Sequence, residues 1–95
     1  MRIRLARGAR AEAAEAQRYY AAISSELGRG FSDAMASAVE RITRDPLLWP
    51  PLTKRIRRCL FDRFPYALIY RVDAEELVVL TVMHQRRKPG YWHRR

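Results

Sequence analysis

Cysteine and histidine are almost missing from this chain of 95 residues: Cys59 stands alone, and His84 and His93 are its two imidazoles. A lone thiol forms no internal disulfide, and these three residues lack the clustered spacing of a zinc site, so no metal and no cofactor is expected. Long apolar runs are absent too. No stretch of 18 apolar residues occurs, and Met1-Arg2-Ile3-Arg4-Leu5 places an arginine at every second position where an export signal would carry an apolar core. The expectation is a cytoplasmic chain with no membrane partner. Acidic residues are scarce: 10 Asp and Glu oppose 19 Lys and Arg, giving a formal charge of +9 and a pI near 10.8. Such a surface attracts polyanions or acidic proteins. The excess is uneven, with +2 over residues 1–52 and +7 over residues 53–95.

Hydrophobic residues at 48% supply a core, and the length fits one domain spanning residues 1–95. Arg2 to Ala6 alternate with period two, a short strand with Ile3 and Leu5 on one face. From Ala9 to Leu27 the residues Ala13, Ala16, Tyr20, Ile23 and Leu27 recur at steps of three and four, an amphipathic helix with Glu12, Glu15, Arg18 and Glu26 off its apolar stripe. Gly28 reads as its C-terminal cap and Gly30 as a turn residue. Phe31, Met35, Ala38, Val39 and Ile42 then form a second stripe, which Pro46 ends near Arg44. This gives a helical hairpin over about 9–45, with Tyr19 and Tyr20 assigned to the core.

Beyond Leu47-Leu48-Trp49-Pro50-Pro51 the period shortens. Strands are expected over 54–60, 66–72 and 77–84, within a sheet half of about 53–84. Asp73-Ala74-Glu75-Glu76 is too short for a crossover, so the last two strands pair antiparallel. The order is βααβββ, and the fold class is α+β: an antiparallel helical hairpin packed on a small, mainly antiparallel sheet. A basic tail follows over 85–95.

The chemistry lies in cations and rings. Arg57 and Arg58, together with Arg55, fall on one strand, Arg63 just before the next, and Arg86, Arg87 and Lys88 where the last strand ends. An antiparallel meander would gather them on one concave sheet face, where Tyr91 and Trp92 add stacking surfaces for a phosphate-bearing or acidic target. Metal-free cleavage of RNA would also need a general base and a general acid. His84 closes an apolar strand and reads as structural, His93 sits in the tail, and Cys59 reads as packing.

Phe64-Pro65-Tyr66-Ala67-Leu68-Ile69-Tyr70-Arg71-Val72, the strand over Leu77 to Val82, and His84-Gln85-Arg86-Arg87-Lys88-Pro89-Gly90-Tyr91-Trp92 together resemble the RelE/ParE superfamily of bacterial toxins. The resemblance covers nearly the whole chain. It implies the toxin of a type II toxin-antitoxin pair, neutralised by a small cognate antitoxin with an acidic toxin-binding segment. Two mechanisms occur among such proteins. RelE-like members cut messenger RNA on the ribosome, and their pattern would use Arg58, Arg86 or Arg87, and Tyr91. Two further cations of that pattern fall here on Leu60 and Ala67. ParE-like members, closer through Phe64-Pro65-Tyr66 and His84-Gln85-Arg86-Arg87, poison DNA gyrase without chemistry. On that reading Arg57, Arg58, Arg63, Arg86, Arg87, Tyr91 and Trp92 form the target-binding set.

The charge imbalance gives one expectation of its own. Affinity for the cognate antitoxin should fall at least severalfold between ~0.05 and ~0.5 M salt, as screening shortens the reach of the basic surface. Calorimetric titration across that range checks it, and a salt-independent affinity would remove the electrostatic component.

Overall fold

The computed structural model describes residues 1–85. Its elements are β1 (Arg2–Leu5), α1 (Arg7–Ile23), α2 (Ser25–Arg44), β2 (Ile56–Leu60), β3 (Tyr66–Val72) and β4 (Glu76–His84), in the expected βααβββ order. One four-stranded sheet has the order β1-β4-β3-β2. The β2–β3 and β3–β4 pairs are antiparallel, while β1 runs parallel to β4 with Arg2 opposite Glu76 and Leu5 opposite Val79. The two helices fill the crossover that a parallel pair requires.

The break between the helices falls at Ser24, four residues before Gly28, the cap expected from sequence. Ser24 is extended, and its N–H donates to Tyr20 O at 3.1 Å to close α1. Its Oγ accepts from Leu27 N at 3.0 Å to open α2, so one serine serves both helix ends. Gly28 and Gly30 lie inside α2 and serve packing. A Cβ on Gly28 would stand 2.7 Å from Ala21 Cβ and 2.9 Å from Ala21 Cα, so the glycine lets the helices approach each other. The same break changes the fate of the first stripe. Tyr19, Ile23 and Leu27, expected in the core, are exposed, whereas Ala9, Ala16 and Tyr20 pack inward.

Strand alternation sorts the sheet into two faces. Leu68 and Tyr70 of β3, Leu77, Val79 and Val82 of β4, and Cys59 of β2 join Phe31, Ala38 and Ile42 of α2 in the core. Burial pushes the Cys59 thiol pKa up, which keeps it protonated and suits the packing role expected for it. Ala67, Ile69 and Val78 point to the other face and are also buried. A bulge interrupts the β3–β4 ladder: Ile69 faces Thr81 and Tyr70 faces Val79, which leaves Leu80 as the extra residue.

Tyr70 ties the sheet to the chain that leaves α2. Its fully buried hydroxyl donates to Pro46 O at 2.6 Å, and burial is the main cause that pushes its pKa up from 10.0 to about 12. A folded-state value above the unfolded one contributes stability that is complete below about pH 10 and is lost as pH rises through about 12. Tyr70→Phe should therefore cost about 1–2 kcal/mol at pH 7 and flatten the alkaline fall in stability over that window. Denaturant titrations of both proteins from neutral to alkaline pH would show the difference, and parallel curves would sever the hydroxyl from stability.

Candidate partner-binding surfaces

Neighbouring residues on a strand face opposite ways, and this separates the expected arginines. Arg57 stands beside Tyr70 on the helix side of the sheet. Its Nη1 donates to Leu47 O at 3.0 Å and to Trp49 O at 2.7 Å, which pins the segment after α2. Arg41 completes that corner: it donates to Leu60 O at 3.1 Å and lies over the Trp49 ring, with Cζ 5.5 Å from the ring centroid. Arg58 N donates to Pro50 O at 3.1 Å and Leu52 N to Ile56 O at 2.7 Å, so the outer edge of β2 is covered over its first residues.

Arg58 stands opposite Ile69 on the face turned away from the helices. The single concave face expected for the strand cations therefore does not form. Arg55 precedes β2, Arg57 is held on the helix side, and Arg58 is on the outer face. Arg63 occupies the tight β2–β3 connection with a left-handed φ of 66°, and its guanidinium lies over Gly30, 3.3 Å from where a Cβ would sit. Arg86, Arg87, Tyr91 and Trp92 lie outside the described residues.

Further basic groups reach the outer face from two other strands. Arg71 stands opposite Ile56 and Val78, and Arg4 is also level with Val78 from β1. Arg71 pairs with Asp73 at 3.2 Å and Arg4 with Glu76 at 3.0 Å. The Arg4 hydrogen bond holds the Glu76 carboxyl below the usual carboxylate range. Arg58 has no ion pair or side-chain hydrogen bond among the described residues, which leaves its guanidinium available to a partner.

The outer face also bears on RNA cleavage. Leu60 and Ala67, which take the places of two cations in the RelE-like pattern, are direct cross-strand partners. Leu60 is exposed and Ala67 is fully buried. Beside Arg58 there is thus an apolar pair where charge would be needed.

The family model described as the ParE toxin of type II toxin-antitoxin systems, parDE, matches residues 3–89. The chain belongs to this family. No curated protein matches it. Among solved structures it is similar to the chromosomal ParDE toxin-antitoxin system from P. aeruginosa, with 18% identity and a TM-score of 0.66 over 88% of this chain and 95% of that one. That likeness supports the fold, a helical hairpin on a four-stranded sheet. Membership makes this a ParE-like toxin and implies a cognate antitoxin as partner. Among the described residues no helix is long and apolar enough to cross a membrane, and no cluster of His, Cys, Asp or Glu could hold a metal ion.

One side chain that matters to the ParE fold here was placed on the solvent side by the helical wheel. Glu12 of α1 reaches the edge of β4 beyond the end of β1, where its Oε1 accepts from Thr81 Oγ1 at 2.7 Å and from Val82 N at 3.0 Å. It satisfies a buried hydroxyl and an amide on the β4 edge past Val79, where β1 has ended. Its sequence signal is weak, because a glutamate in an alanine-rich helix is ordinarily a solubilising residue.

The two neighbouring arginines should separate under mutation. Arg57→Ala removes two charge-assisted hydrogen bonds to carbonyls and should cost about 2–3 kcal/mol, while Arg58→Ala should stay within about 0.5 kcal/mol. Equilibrium denaturation of both variants checks the contrast, and equal losses would contradict the two-face assignment.

Proposed function

We propose that this ParE-family chain arrests growth in the cytoplasm by binding DNA gyrase and holding it on cleaved DNA, and that its cognate antitoxin prevents this. The observation that carries the reading is the outer sheet face, where Arg58 is available and the adjoining cross-strand pair is Leu60 and Ala67. A surface that only binds needs a stable basic patch. A ribonuclease needs several cations converging on one phosphate, and the loss of each such donor commonly costs a few kcal/mol of transition-state stabilisation.

Other groups support binding over chemistry. Cys59 is buried with its thiol pKa raised, which disfavours the thiolate. His84 stacks edge-on against Tyr66 at 5.0 Å between ring centroids, a packing arrangement at the end of β4. The target-binding set is proposed as Arg58 and Arg63 together with Arg86, Arg87, Tyr91 and Trp92. Arg57 is better understood as the pin of the preceding segment.

Expression without antitoxin, with gyrase–DNA covalent complexes and transcript 5′ ends measured in the same cells, tests the proposal. The expected result is trapped gyrase with intact transcripts, reduced about tenfold by Arg58→Glu. Codon-phased transcript ends without trapped gyrase would replace this reading with ribosome-dependent cleavage of messenger RNA.

A further inference from the structure

On the helix side of the sheet, away from Arg58, a cavity of about 440 Å³ opens between α1 and the ends of β3 and β4. Its principal walls are Glu12, Glu15, Tyr19, Tyr20, Tyr66 and His84. The rings meet edge to face: Tyr19 and Tyr20 at 5.1 Å, Tyr20 and Tyr66 at 6.4 Å, Tyr66 and His84 at 5.0 Å between centroids. Two of the ten carboxylates of a chain with a net charge of +9 converge on this one cavity. Glu12 is held by Thr81 and Val82. Glu15 is exposed, and no ion pair or hydrogen bond engages it among the described residues.

We propose that this cavity receives the guanidinium or ammonium group of one basic side chain of the cognate antitoxin. Electron-rich ring faces and a carboxylate are the two chemistries that attract an organic cation, and partial desolvation strengthens both. The chain beside the cavity identifies the occupant as part of a protein. Glu15, Tyr19 and Ile23 recur every four residues along α1, and Tyr19 and Ile23 are 62% and 59% exposed, so an apolar shelf continues from the cavity along the helix. A segment that lays apolar side chains on this shelf carries an adjacent arginine or lysine to Glu15. Charge complementarity here is local and opposite in sign to that of the molecule. A partner that is acidic overall would use this one inverted contact to set its register, because an acidic side chain in its place would face Glu15 and Glu12.

The assignment rests on the family reading that a cognate antitoxin binds this toxin, and it is independent of gyrase. Two binding measurements test it. In the first, N-acetyl-arginine amide is titrated into the full chain by NMR, with the neutral isostere N-acetyl-citrulline amide as control. Saturable shifts of the Tyr19, Tyr66 and His84 ring signals with arginine alone are expected, weakened severalfold by E15Q. Equal responses to the two compounds would overturn the proposal. So would arginine binding that appears only in the R86Q/R87Q/K88Q variant, because the chain's own basic segment would then be the occupant. In the second, E15K should lower the affinity of purified antitoxin at least tenfold, and one arginine- or lysine-to-glutamate change in the antitoxin should recover most of that loss. Y19A, which removes a wall without reversing charge, should weaken binding in the same direction. Antitoxin affinity within twofold of the parent for both E15K and Y19A would overturn the assignment.

Discussion

Phe31 is the point at which the layers of this molecule meet. Its ring contacts Tyr20 of α1 at 5.5 Å, Phe61 and Phe64 of the β2–β3 connection at 5.5 Å each, and Tyr66 of β3 at 5.3 Å between centroids. One fully buried side chain thus fastens the first helix, the connection and the sheet to α2. Truncating such a ring to alanine typically costs about 3–5 kcal/mol, a large share of the stability of a small domain. The tight connection is shaped to deliver its two phenylalanines. Phe61 N donates to Tyr66 O at 2.9 Å, Phe64 N to Asp62 O and Tyr66 N to Phe64 O at 2.8 Å each, and Arg63 takes the left-handed conformation between them.

Much of this was legible from residue periodicity. The end of α2 follows from Pro46, the span of β3 from its β-branched and aromatic run, and the β3–β4 hairpin from a linker too short for anything else. The first helix was misread because its apolar spacing runs on across Ser24 by coincidence, and because glycine is a common sign of a helix end. In α2 the two glycines answer a different demand, the close approach of Ala21 and of Arg63 with Phe64, which no local pattern announces. Likewise the opposite facing of Arg57 and Arg58 is implicit in strand alternation. That one of them is consumed by the Leu47 and Trp49 carbonyls depends on where a loop returns in space. Glu12 was hidden for the same reason, since its partners lie about seventy residues further along the chain.

The surface divides its charge by side. Arg4 and Arg71 on the outer face are matched locally by Glu76 and Asp73, while among the described residues Arg58 has no ion pair. Across the sheet, α1 exposes Glu15, Tyr19 and Ile23 in one row, with Arg7, Arg10 and Arg18 also exposed on the helix. The outer sheet face and the Glu15–Tyr19–Ile23 row of α1 thus differ in chemistry and lie on opposite sides of the sheet. The β2 edge is covered over its first residues by the Pro50–Leu52 return, and Arg41 engages its Leu60 carbonyl.

The parallel pairing of β1 with β4 also governs when the molecule acquires its shape. Arg2 stands in the first strand, yet its ladder partner Glu76 follows only after both helices and two further strands. Until then the N-terminal segment has no sheet to join, and the helical hairpin has only part of the apolar surface it is built to cover. Pairings across such sequence separations close late, because the loop entropy is spent before the contacts form. The sheet therefore takes its final order only once β4 is available to stand between β1 and β3, so the first strand of the chain is held by the last.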